Sequence, residues 1–124
     1  MSTDAKPIAF SVMKNVPKEF KPALLAPPNA YLEDMFSSDQ VNPEKPMSSG
    51  LFRLEKGKEL VYTYTYDEMK IILEGVWTIS DETGQSVTAE PGDHFFFPKG
   101  TTITFKTDDY GLAFYVGQRK RGAA

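Results

Sequence analysis

Tyr62, Tyr64, Tyr66, Glu68, Lys70 and Ile72 recur at every second position of one short stretch. Side chains alternate across a strand, so residues of one parity share a face. An extended chain here turns the three tyrosines, the glutamate and the lysine to one side. Met69, Ile71 and Leu73 go to the other, to pack between sheets or against a second subunit. The turn near Tyr66 and Asp67 can break this register, so Glu68 is a firmer member of the face than Lys70. A glutamate among phenols and an amine can do proton chemistry. Burial raises a carboxyl pKa and a nearby ammonium lowers it. Poised between the two, Glu68 can take a proton alpha to a carbonyl as a general base, or return it as an acid. Tyr62 and Tyr64 can donate hydrogen bonds to the developing enolate oxygen. Lys70 can pair with Glu68, anchor an anionic substrate or, if desolvated, form an imine.

The same residues also read as a polar cluster whose members satisfy one another. Large side chains at these positions can equally fill the cavity and leave a scaffold without chemistry. His94, the one histidine, follows Gly92-Asp93 at a strand start and shares parity with Phe96, opposite Phe95 and Phe97. The sequence does not decide which pair faces inward. A lone histidine cannot make a metal site, and a structural or exposed role is the plainer reading. Phe95-Phe96-Phe97 reads first as a strand buried on both faces and second as an aromatic pocket wall. Candidate substrate contacts are Phe95, Phe97, Ile103, Ile72, Tyr115 and Arg53. A surface position is the simpler reading for Arg53, and core or interface for Trp77. Asp93 can hydrogen-bond its own turn.

These residues need a framework of strands, and from Ala30 onward the chain supplies one. Strand patterns run over 31–36, 51–54, 60–66, 69–73, 76–79, 85–89, 94–97, 102–106 and 112–116. Turn signals separate them: Gly57-Lys58, Glu74-Gly75, Asp81–Gly84, Pro91–Asp93 and Pro98–Gly100. Short strands at this spacing predict an all-β sandwich or barrel. No helix, internal repeat or low-complexity tract is expected. Before this body, Pro7, Pro17, Pro22, Pro27 and Pro28 block long helices and central strands. Residues 1–30 therefore read as an extended arm that keeps apolar clusters at Ile8–Phe10 and Ala23–Leu25. Residues 31–119 form the body and 120–124 a short basic tail. Arg119-Lys120-Arg121 reads as a solvated end.

The 124 residues suit one domain. A net charge of −3 argues against nucleic acid as a partner. The absence of cysteine excludes disulfides, thiolate metal sites and cysteine nucleophiles. With no apolar run long enough to span a bilayer and no signal-peptide pattern, a soluble, cytoplasmic protein is expected.

Two stretches resemble cupin motifs. Tyr62–Gly75 resembles the first, which carries two histidines one residue apart, a glutamate, then six residues and a glycine. Gly92–Ile103 resembles the second, a glycine, five residues, Pro-x-Gly, two residues and a third histidine. Sixteen residues separate Gly75 from Gly92. Here Tyr62 and Tyr64 hold the first two histidine positions, Ile103 the third, and Thr107 that of the asparagine that often ends the motif. Only Glu68 remains of the four usual ligands. Gly57 sits one residue closer to the first ligand position than usual. The stretches 66–75, 96–100 and 110–115 are similar to the ethanolamine-utilisation (EutQ-like) branch of the cupins, over roughly residues 45–119.

The resemblance implies a jelly-roll (RmlC-like) β-sandwich and a homodimer. The arm lies outside the resemblance, but an extended proline-rich segment can cross onto a partner and cover its exposed sheet edge. Phenols, an isoleucine and one carboxylate are a poor divalent-metal site, so neither a metal nor another cofactor is expected. The leading expectation is a small-molecule enzyme independent of metal, an isomerase, cyclase, lyase or dehydratase. Glu68, Tyr62, Tyr64 and Lys70 would be its catalytic set, acting on a carbonyl-bearing substrate. Two alternatives stand beside it: a non-catalytic binding or scaffold module with a filled pocket, and a metal-dependent cupin recruiting His94 and Glu68.

Overall fold

The computed structural model describes residues 7–124, so the first six residues of the expected arm lie outside the described part. The segments rich in Val, Ile, Phe, Tyr and Thr form eight strands: β1 (Leu24–Ala26), β2 (Ala30–Ser37), β3 (Ser48–Glu55), β4 (Leu60–Thr63), β5 (Glu68–Asp81), β6 (Ser86–Ala89), β7 (His94–Phe97) and β8 (Thr102–Gly117). All pair antiparallel, in the order β1-β2-β3-β8-β5-β6, with β4 on β8 and β7 on β5. The expected all-β jelly roll is what the chain forms.

Two long strands shape it. The first part of β5 lies between β7 and β8, and its last part between β8 and β6. The last part of β8 pairs with β3 and its first part with β4. One pair of strands thus runs through both leaves of the sandwich. The sequence pattern divides each into two strands, at Glu74-Gly75 and at residues 107–111. The chain instead bends and continues. The β5–β8 register shifts between Ile72 and Glu74 and again between Gly75 and Trp77, and such bulges bend a strand without ending it. Gly75 has φ +81°, and a Cβ there would lie 2.0 Å from the Tyr110 carbonyl oxygen. Opposite it, a Cβ on Gly111 would lie 2.0 Å from the Trp77 ring. The bend needs both positions bare.

The main core lies between the leaves and includes Phe52, Leu54, Ile72, Trp77, Ile79 and Phe105. A smaller cluster of Met35, Leu51 and Leu112 lies apart, packed by Leu73 and Phe114 and covered by Val16 and Phe20. Val16 opens and Phe20 follows a single helical turn, α1 (Val16–Glu19), where the sequence suggested no helix. Pro17 fits there because the first helical positions need no N–H partner. Residues 24–26, placed in the arm on sequence grounds, pair with β2 as an edge strand. Among the described residues no helix is long and apolar enough to cross a membrane.

The expected solvated end is different in kind. Arg119 is buried and its guanidinium bonds both carboxylate oxygens of Asp34, at 2.8 and 2.9 Å. Arg121 donates to the Asp34 and Met35 carbonyls at 3.1 and 2.9 Å. Burial alone would raise the Asp34 carboxyl. Bonds from Arg119, the Gly122 N–H and the Tyr115 hydroxyl outweigh it and hold the pKa at about 2. The partner of Asp34 lies 85 residues away in sequence, so no local pattern announces it.

Candidate active site

The even-numbered face survives the turn at Tyr66-Asp67. Tyr64 exchanges backbone bonds with the Pro98–Thr101 turn, its N–H to Thr101 O and its C=O from Gly100 N–H, both 2.8 Å. Asp67 accepts the Lys99 N–H at 2.8 Å. These bonds hold the segment extended between β4 and β5. Tyr64, Tyr66, Glu68, Lys70 and Ile72 are all buried, and Tyr62 is half-buried. Met69 is exposed and Ile71 and Leu73 partly so, as opposite parity requires.

At the centre, the Tyr64 hydroxyl donates to Glu68 Oε2 at 2.5 Å. Lys70 Nζ lies 3.3 Å from the same carboxylate oxygen and 3.4 Å from the Tyr64 hydroxyl. The side chains of Glu68 and Lys70 are each 2 % exposed. The Tyr62 and Tyr66 hydroxyls are bonded to each other at 3.0 Å. Around the amine stand the rings of Phe52 and Phe105, each 4.5 Å from Nζ, with Phe97 and Tyr115 at 5.7 and 5.9 Å. Ring faces attract a cation electrostatically. Burial pushes the Lys70 pKa down, and the Glu68 charge and hydrogen bond oppose that. Burial pushes the Tyr64 phenol far up, and the neighbouring Glu68 adds to the rise. Tyr66 is raised too, by burial and by its bond with Tyr62. Tyr64 is therefore a proton donor at any ordinary pH.

The cluster opens past Tyr62 and Tyr66 toward Leu25, Leu32 and Leu60, with about 10 Å³ of free space, room for one water. Phe97 stacks on Tyr64 at 5.2 Å and Phe95 on Phe97 at 5.7 Å. These two phenylalanines face inward, which settles the parity of β7. Phe95, Phe97 and Ile103 border a separate crevice of about 90 Å³ with Ile79 and Val87.

The structure decides three open readings, and Arg53 and His94 take the plainer surface one. Arg53 does not join the cluster. Phe52 and Leu54 take the buried parity of β3, so Arg53 points the other way, paired with Glu55 at 3.0 Å and stacked over Tyr110 at 4.6 Å. The Tyr115 ring faces Lys70, but its hydroxyl is committed to Asp34 at 2.6 Å. His94 is exposed on the face of β7 opposite Phe95 and Phe97, so it cannot meet Glu68. Nor does the donor set suit a divalent metal. Its one carboxylate is already bonded by a phenol and an ammonium, and Ile103 offers no ligand atom. Among the described residues no group of three or more His, Cys, Asp or Glu could hold a metal ion.

Phe52 and Phe105, which flank the amine, were missed as site residues. Their signal was present: Phe105 shares the parity of Ile103, and Phe52 the buried parity of its strand. The leucines at the mouth carry no such signal, since apolar residues on three separate strands read simply as core.

Residues 23–119 match the family described as "Ethanolamine utilisation protein EutQ". The chain belongs to the EutQ family. It is similar to the Clostridioides difficile (strain 630) protein named "Acetate kinase EutQ", at 30 % identity over 86 residues, covering 69 % of this chain and 52 % of that one. The chain thus spans about half the length of that EutQ relative. A solved ethanolamine utilisation protein EutQ from Salmonella typhimurium LT2 superposes with TM-score 0.63 at 27 % identity, over 74 % of this chain and 71 % of that one. An RmlC-like cupin from Shewanella frigidimarina shares the fold, with TM-score 0.55 at 18 % identity over 61 % and 68 % of the two chains.

Proposed function

We propose that this cupin is a metal-independent enzyme that transfers a proton to or from the carbon alpha to the carbonyl of a small substrate. One observation carries the reading: a carboxylate held by a phenol at 2.5 Å and an ammonium at 3.3 Å, inside an aromatic wall. Glu68 is the general acid/base. Tyr64, whose raised pKa keeps it protonated, turns its hydroxyl from Glu68 to the enolate oxygen once substrate is seated. Lys70 is the fixed positive charge that anchors a carboxylate or enolate. Tyr62, half-buried at the mouth, orients the substrate. Admission needs Leu25 and Tyr62 to give way, because the free space holds a single water. The phosphoryl transfer named for the Clostridioides difficile protein draws on a chain of which this one spans half.

Proton transfer can be detected without knowing the product. In D2O, a panel of small ketones, 2-oxo acids and hydroxyketones loses α-protons to solvent when a base abstracts them, and proton NMR reads the loss. Wild type is expected to accelerate washout from at least one compound. Glu68→Gln abolishes it and Tyr64→Phe reduces it by about 10²–10³-fold, the scale of one oxyanion donor. No washout from any compound, or equal washout by Glu68→Gln, refutes the proposal. The small cavity favours a second reading, a binding or scaffold module with a filled interior, which predicts silence across the panel.

A further inference from the structure

We infer that Tyr66 is a positioning residue: it donates its hydroxyl proton to Tyr62 and so turns the Tyr62 proton outward, toward a substrate oxygen at the mouth. The two hydroxyls lie 3.0 Å apart, a distance that by itself leaves either one as donor. Among the described residues each is the other's one hydrogen-bond partner. Two phenols hold two protons, and one bond uses one of them. The second proton must meet water or a ligand, or stay unpaired at a cost.

Exposure and charge both put that second proton on Tyr62. Tyr66 is 7 % exposed, with the rings of Tyr64 and Tyr62 at 5.5 and 6.4 Å. Tyr62 is half-buried and borders the space for one water, beside Leu25 and Leu60. An unshared proton is solvated on Tyr62 and stranded on Tyr66. Charge acts in the same sense. Both terminal nitrogens of Arg119 are committed to Asp34. Its Nε is the one buried side-chain nitrogen or oxygen without a partner among the described residues. The guanidinium is left to the rings of Tyr66 and Tyr115, at 5.3 and 5.7 Å. A cation beside a phenol favours release of its proton and makes it the stronger donor. Burial and the bond with Tyr62 raise the Tyr66 pKa, and Arg119 works against them. Gly117 leaves ring and cation their places: a Cβ there would lie 2.9 Å from Tyr66 Cε2 and 3.6 Å from Arg119 Nε.

The Asp34–Arg119 pair thus reaches the catalytic cluster through Tyr66. On the proton-transfer reading, on which this rests, Tyr62 joins Tyr64 and Lys70 as a donor to substrate oxygens, and Glu68 alone accepts.

Neutron diffraction from crystals of the deuterated full chain locates the phenol deuterons and needs no substrate. One deuteron is expected on Tyr66, aimed at Tyr62, and the Tyr62 deuteron turned to the mouth. A deuteron on Tyr62 aimed at Tyr66, or an even split between the two, overturns the inference. The D2O washout gives the second readout. Tyr62→Phe should slow exchange about tenfold, the scale of one hydrogen bond to a charged group, and Tyr66→Phe about threefold. Both keep their rings. In the Tyr62→Phe background, Tyr66→Phe should have no further effect, because the proton it directs is already gone. A purely structural Tyr66 would cost the same threefold in either background, and that result overturns the inference too. So does a Tyr66→Phe variant that exchanges as fast as wild type. If wild type exchanges no compound, the proton-transfer reading falls, and the deuteron positions still decide what Tyr66 does to Tyr62.

Discussion

Lys70→Met removes the ammonium while nearly keeping its volume, and it leaves Glu68 as a buried carboxylate bonded only by Tyr64. Breaking a buried ion pair on one side costs about 3–5 kcal/mol, because the remaining charge has lost its compensation. The amine also loses the ring faces of Phe52 and Phe105, each 4.5 Å away. Against a typical total stability of about 5–15 kcal/mol, the variant is left marginal. Urea unfolding read by the fluorescence of Trp77, the single buried tryptophan, measures this directly. Two controls make the reasoning refutable. Adding Glu68→Gln to Lys70→Met removes the stranded charge and keeps an acceptor for Tyr64, so the double variant should recover at least half of the loss. Lowering the pH should help the single variant too. A stranded carboxylate takes up a proton more readily in the folded chain than in the unfolded one, so stability rises as pH falls. A loss below about 1 kcal/mol, no recovery in the double variant, or a loss unchanged between neutral and mildly acid pH would each show that Lys70 is not what compensates Glu68.

The Asp34 clamp makes a prediction of opposite sign. Its folded pKa of about 2 lies below the ordinary 3.8, so its contribution is complete above pH 3.8 and is lost as pH falls toward 2. At about 1.4 kcal/mol per unit this amounts to roughly 2 kcal/mol. The stability gap between wild type and Asp34→Asn, from urea titrations at each pH, should close by that amount across this window. Gly75→Ala at the bend and Gly84→Ala in the turn between β5 and β6 both place a side chain at positive φ, but only the first meets another atom. Gly84→Ala should cost about 1–2 kcal/mol and Gly75→Ala a further 1–3 kcal/mol by thermal melting. Equal losses would mean that the β5–β8 approach is not what requires glycine.

The sequence carried much of this because strand parity is a local rule. Tyr62, Tyr64, Glu68, Lys70 and Ile72 share the inner face since nothing between them changes the count by one. Register at Tyr66-Asp67 was the open question. Backbone bonds to residues 98–101, thirty-odd positions away, keep it, and a window along the chain cannot see them. The parity of Phe95 and Phe97 was undecidable for the same reason: three phenylalanines in a row satisfy either face. Arg53 stayed open between ligand and surface because charge allows both, whereas its neighbours Phe52 and Leu54 already fixed its direction away from the cluster. Gly75 read as a strand end because a glycine that bends a strand and one that stops it look alike until Gly111 is seen opposite. The Arg119–Asp34 pair was invisible, since basic residues near a tail carry the same signal whether solvated or buried.

That pair also bears on the order in which the protein can be completed as it is synthesised. Asp34 leaves the ribosome long before Arg119. At about 5–20 residues per second, the 85 residues between them take roughly 4–17 s. Through that interval β2 can pair with β3, but its carboxylate has no cation to receive it and must stay in water. The strand can therefore form early yet seat late. The stretch that carries Arg119 closes the fold, and any product that stops short of it is left with an acid that the complete fold would have buried.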